Sequence, residues 1–200
     1  MSILETPPTS TPTTPTTPRP TPTPPADRVL ELGAVVLLGG LAVTVAPDVG
    51  AQISFLAVAA VTPALVRHDL AVRRLPNPLV GLLATAFVVG STLRGVDSGL
   101  LSASIPFGWA ALWFAVAFAL AVGGAFGMGD VKLGAALVGI VAPWGGIAVG
   151  ALVAGAGVIG LIVVAATALR ARGSRSRGVP FGPCLLASFW ALSVFGGPLL

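Results

Sequence analysis

The chain has 200 residues, 55% of them hydrophobic and only 9% charged, whereas soluble domains carry roughly 25% charged residues. Eleven basic and seven acidic side chains cannot cover a soluble globule of this length, so the composition indicates a polytopic membrane protein. A net charge of only +4 excludes a nucleic-acid-binding surface, because basic residues in a lipid-embedded chain serve as topology signals. The single cysteine, Cys184, excludes an internal disulfide or CxxC site, and the single histidine, His68, excludes a multi-histidine metal centre; no metal or organic cofactor is expected. The excess of arginine over lysine fits a GC-rich bacterial genome.

Residues 1–26 hold nine of the eighteen prolines and nine threonines. Proline fixes φ and removes backbone donors, so an extended, solvated cytoplasmic tail is expected, with a ligand for a proline-recognising partner as the alternative. It has no apolar stretch of the signal-peptide kind. Residues 27–200 form the membrane domain. A spanning helix needs ~20 apolar residues, and the charges are spaced accordingly. The first span runs from Val29 to Ala46. Asp48 and Arg67 bracket the second, and Arg74 and Arg94 the third. The fourth is expected from Pro106 to Phe126. Between Lys132 and Arg170 there is room for two, separated by Pro143-Trp144-Gly145-Gly146. The seventh lies between Gly178 and Leu200. The expected fold is therefore an all-α bundle of six to seven transmembrane helices. With seven spans, ten of the eleven basic residues fall on one side, Arg94 alone lying opposite. Positive charge is retained in the cytoplasm, which puts the N-terminus inside.

Two carboxylates lie at span ends on that side: Asp69, in Asp69-x5-Leu75-Pro76-Asn77, and Asp130, in Gly127-Met128-Gly129-Asp130-Val131-Lys132-Leu133. Facing carboxylates cannot both ionise and so share one proton. The ionised member can activate water while the protonated one polarises a peptide carbonyl. Gly127 and Gly129 permit close backbone approach and positive φ, and Gly123 with Gly127 has the spacing of a tight helix contact in lipid. Pro76 turns Leu75 away from helix. A rival reading is a small multi-pass transporter, or an assembly subunit, whose carboxylates bind a proton or cation; it calls for ionisable groups near mid-membrane.

Taken with Val179-Pro180-Phe181-Gly182-Pro183 further on, these motifs stand in the order in which they occur in the type IV prepilin peptidases, membrane aspartic proteases of the Gly-x-Gly-Asp class, and the chain resembles that family over roughly residues 50–195. The resemblance implies that Asp69 and Asp130 are the catalytic pair. It implies that the substrate is a prepilin or pseudopilin, cut on the cytoplasmic side of a bacterial inner membrane after the glycine that ends a basic leader; preflagellin-like or presenilin-like targets are the alternatives. Leu75, Pro76, Asn77, Gly127, Gly129, Lys132, Phe181, Gly182 and Pro183 would be supporting residues. The paired CxxC motifs of full-length members are missing, so the chain resembles the cleavage-only peptidases of tight-adherence pili, without methyltransferase activity. His68 is read as a solvated interfacial residue, Lys132 as a topology anchor, and Cys184, Trp109, Trp113, Trp144 and Trp190 as packing or interface residues. The arginine run 170–177 is expected to face lipid headgroups. Pro63-Ala64-Leu65 precedes both aspartates, whereas the Pro-Ala-Leu motif of presenilin-like proteases follows them. Prepilin and membrane lipid are thus the expected partners, with the oligomeric state left open.

Overall fold

A computed structural model describes residues 25–124, 127–170 and 180–196. The expectations for the tail 1–24 and for the arginine run beyond Arg170 lie outside the described residues. The protein is an all-α polytopic membrane bundle. Its helices are α1 (Pro25–Val45), α2 (Val49–Val72), α3 (Asn77–Ser98), α4 (Leu100–Val122), α5 (Met128–Val141), α6 (Gly146–Arg170) and α7 (Phe181–Phe195), with one 3₁₀ turn at Ala142–Trp144 before α6. The chain reverses at each connection. Asp69, Asn77, Asp130 and Phe181 therefore share one end of the bundle, and Asp48, Arg94 and Gly146 share the other.

Five helices, α1 to α4 and α6, are long and apolar enough to cross a membrane. The fifth and seventh expected spans are shorter, at 14 and 15 residues. Fourteen residues rise only ~21 Å, against a hydrocarbon core of ~30 Å. The shortfall is tolerated in α5 because α2, α3, α4, α6 and α7 all pack against it. Val131, Leu133, Leu137, Val138 and Val141 are buried, so its ends are set by neighbouring helices rather than by lipid.

Several boundaries differ from the sequence reading: the first helix opens at Pro25, the third runs past Arg94 to Ser98, and the fourth ends at Val122 rather than Phe126. The fourth helix starts at Leu100, and Pro106 lies inside it, buried. Proline is tolerated within membrane helices because neighbouring groups satisfy the backbone it frees. The second helix does not stop at Arg67 but runs to Val72, ended by Arg73 in the left-handed conformation (φ 55°) with its N–H on the Asp69 carbonyl. The fifth helix opens at Met128, ahead of Lys132.

Small residues make the tightest crossing, though not the pair expected. Gly123 and Gly127 cap α4 and α5 and lie in no helix–helix seam. The close contact is between Gly50 on α2 and Gly90 on α3, where a Cβ on either would strike the other's carbonyl oxygen. Beside it the Ser54 hydroxyl donates to the Gly50 and Ala86 carbonyls, each at 3.2 Å. Gly90→Val should overpack this seam, costing about 1–3 kcal/mol; thermal unfolding in detergent should show a lowered midpoint. At the same end Asp48 caps α2 through the Ala51 N–H at 2.7 Å and takes Arg94 Nε and Nη2 at 3.0 and 2.6 Å. Among the described residues the one basic residue on that side is thus held by a carboxylate.

The aromatic core joins α2 to α7. Phe55 lies against Phe189, Trp190 and Trp144 with ring centroids 5.1–6.4 Å apart. The Trp190 indole donates to Thr62 Oγ1 at 3.1 Å, and that hydroxyl donates to the Val58 carbonyl at 2.6 Å. These contacts bring the start of α7 beside the end of α2.

Candidate active site

Asp69 lies in the last turn of α2 and Asp130 in the first turn of α5. The two carboxylates meet at Gly182, in the first turn of α7. A Cβ at position 182 would stand 3.2 Å from Asp69 Oδ2, 3.3 Å from Asp130 Oδ1 and 3.4 Å from Leu75 Cδ2. Both carboxylates and the Leu-Pro-Asn segment therefore touch one point, which glycine leaves open. The three motifs, far apart in the chain, form a single site.

Each glycine of the second motif also relieves a contact, but in a different way from that expected. Gly127 and Gly129 do not use positive φ; the positive-φ glycines among the described residues are Gly99, Gly124 and Gly145. Gly129 is needed because a Cβ there would lie 2.9 Å from Leu75 Cβ. A Cβ on Gly127 would lie 3.2 Å from Asp130 Oδ2. The Asp69 carboxylate faces the Asp130 carboxylate across Gly182.

Asp69 is 5% exposed, and its Oδ2 has no hydrogen-bond partner among the described residues. A buried, unsatisfied carboxylate oxygen is costly. A proton held between it and Asp130, or a water between them, would remove that cost.

The site opens into a cleft of about 350 Å³ lined by Asp69, Asp130, Asn77, Arg73, Arg74 and Lys132, together with Leu75 and residues 127–129. Arg73 turns the chain out of α2, and Pro76 starts α3. The exposed His68 holds this turn, its Nδ1 lying 2.8 Å from the Arg74 carbonyl oxygen. Lys132 is exposed on the cleft wall. Phe181 packs against the hydrophobic core, and Pro183 is half-buried in the first turn of α7. Cys184 Sγ lies 3.6 Å from the Pro180 carbonyl oxygen and is buried. A buried thiol is a packing group rather than a nucleophile.

The sequence reading names Gly182 as a supporting residue, through the Val179–Pro183 motif. Nothing local shows that it stands between the two carboxylates. Trp113 is more than an interface aromatic: its indole donates to the Val131 carbonyl at 3.3 Å, and its ring fills the space that a Cβ on Gly134 would need. It thereby locks α4 to α5 one turn beyond Asp130.

Comparison with family models, with curated proteins and with solved structures finds no match to this chain.

Proposed function

We propose that this protein is a membrane-embedded aspartic endopeptidase of the type IV prepilin peptidase kind, which removes the basic leader of prepilins or pseudopilins at the cytoplasmic face of a bacterial inner membrane. The observation that carries this reading is the meeting of Asp69, Asp130 and Leu75 at Gly182, with a buried oxygen on Asp69 that has no hydrogen-bond partner among the described residues.

In this mechanism the dyad holds one proton. The ionised carboxylate takes a proton from water as the water oxygen bonds to the scissile carbonyl carbon. The other carboxyl gives its proton to the carbonyl oxygen, yielding a neutral gem-diol. A carboxylate then removes a diol proton as the C–N bond breaks, and the carboxyl newly formed in the first step protonates the departing amine. The products are an acid and an amine, and the dyad again holds one proton. No charge leaves the site, which suits carboxylates held away from bulk water.

The distribution of basic residues supports a cytoplasmic N-terminus. Among the described residues Arg28, Arg67, Arg73, Arg74 and Lys132 share the dyad end, and only Arg94 stands opposite. The leader would then meet the dyad on the side where it is made. The rival transporter reading is disfavoured because both carboxylates sit at helix ends and not midway along a span.

The test is co-expression, and then reconstitution, with candidate prepilins, scored by a shortened product with its new N-terminus after the leader glycine. Persistence of full-length prepilin across all candidates, with well-inserted enzyme, would count against the proposal. The dyad also sets the pH profile. Because two facing carboxylates hold one proton, kcat/KM should fall as pH rises and the shared proton leaves. It should also fall in acid, when both carboxyls are protonated. A rate flat across roughly pH 4 to 9 would exclude a one-proton dyad.

A further inference from the structure

The one histidine of the chain stands immediately before the first aspartate, near the end of α2. His68 Nδ1 lies 2.8 Å from the Arg74 carbonyl oxygen. A carbonyl oxygen only accepts, so Nδ1 carries the proton and donates it. The bond spans a stretch that helix geometry does not hold. The α2 ladder ends with the Arg73 N–H on the Asp69 carbonyl, and Arg73 itself is left-handed, at φ 55°. Helical bonding resumes with the Leu79 and Val80 N–H groups on the Pro76 carbonyl. His68 ties down the peptide between them.

That peptide leads into Leu75, which acts as a wedge. Leu75 Cβ lies 2.9 Å from the place of a Cβ on Gly129, and its Cδ2 lies 3.4 Å from that of a Cβ on Gly182, where both carboxylates converge. Leu75 also packs against the hydrophobic core. A shift of the Arg74 peptide therefore moves Leu75, and with it the apolar wall beside the dyad. His68 is exposed and does not line the catalytic cleft, so its influence runs through this chain of contacts.

We propose that His68 is a positioning residue of the dyad, fixing Leu75 between Gly129 and Gly182 through the hydrogen bond from Nδ1 to the Arg74 carbonyl. Its effect on rate rests on the protease reading; the hydrogen bond and the turn it holds do not.

Two variants separate the donor from the bulk of the side chain. Asparagine carries Nδ2 on Cγ where histidine carries Nδ1, so His68→Asn keeps the donor. Leucine has the same branching at Cγ and no donor. His68→Leu should lower kcat about five- to tenfold, the worth of one hydrogen bond, with KM within about twofold because no substrate contact is lost. His68→Asn should stay within about twofold of the native kcat. Added to Leu75→Ala, His68→Leu should cost less than about twofold more, since both act through one wall.

Two measurements need no cleavage. Histidine ¹⁵N labelling of the untagged chain gives a single ring in NMR, and the neutral imidazole should carry its proton on Nδ1 and none on Nε2. Hydrogen exchange at Leu79 and Val80 should quicken about fivefold in His68→Leu and stay native in His68→Asn. A proton on Nε2, equal kcat in the asparagine and leucine variants, unchanged exchange in His68→Leu, or full additivity with Leu75→Ala would each overturn the assignment. If the wild-type chain cleaves no prepilin, the protease reading falls, and the ring tautomer and the exchange rates still decide whether His68 holds this turn.

Discussion

Asp69→Asn and Asp130→Asn should each abolish leader cleavage, by about three orders of magnitude or more, and the double variant should be no slower than either single. The reason is the shared proton. An amide can neither take a proton from water nor give one to the carbonyl, so either substitution breaks the same cycle. Residues that act as one unit are strongly non-additive in this way. The amide keeps the size of the carboxyl, and Asp69→Asn removes a buried carboxylate whose Oδ2 has no partner among the described residues, so insertion and thermal stability should be preserved. Asp97→Asn, at the opposite end of α3, is the control and should cost little. A correctly inserted Asp69→Asn protein that cleaves prepilin at a near-native rate would dismiss the aspartic mechanism and restore the transporter reading.

The second large effect is expected at a residue with no functional group. Gly182→Ala places a methyl 3.2 Å from Asp69 Oδ2 and 3.3 Å from Asp130 Oδ1, tighter than ordinary van der Waals contact, so the carboxylates must separate by a few tenths of an ångström. Displacements of about 1 Å in a catalytic constellation cost about 10²-fold. A loss of roughly 10- to 100-fold is therefore expected from alanine, and a larger one from valine. The pH profile discriminates positioning from folding. Separated carboxylates repel less, so the Asp130 titration should move down and the alkaline limb of kcat/KM should move to lower pH with it. A Gly182→Ala enzyme with native rate and native profile would show that the dyad does not operate across this glycine.

The residues of the site could be read from the sequence in part. Asp69 and Asp130 stood out because carboxylates at span ends on one side are rare in a chain with 9% charged residues, and the motif order pointed to their pairing. Gly182 was legible as part of a motif but not as the meeting point of the dyad, because that role comes from contact with residues more than fifty positions away. Only the packing of α7 against α2 and α5 creates that contact. The α2–α3 crossing had a local signal that was passed over: Gly50 and Ser54, and likewise Ala86 and Gly90, are small residues four apart on facing helices, the spacing that permits close approach in lipid.

By itself the sequence determined that this is a membrane bundle, where most of its spans lie and which end carries the positive charge. Each follows from the cost of placing charge in hydrocarbon, a penalty local to a residue and its neighbours along the chain. Tertiary structure decided where polar or proline-containing helices end, since Arg73 and not Arg67 stops α2, and Pro106 stops nothing. It also decided which apolar faces meet protein and which meet lipid. Leu133 and Leu137 are buried while Leu101 and Val122 are open, yet all four are equally apolar in the chain. In lipid the hydrophobic effect does not distinguish the inside of a bundle from its outside. Shape and hydrogen bonding make that choice, and they belong to the packed helices together.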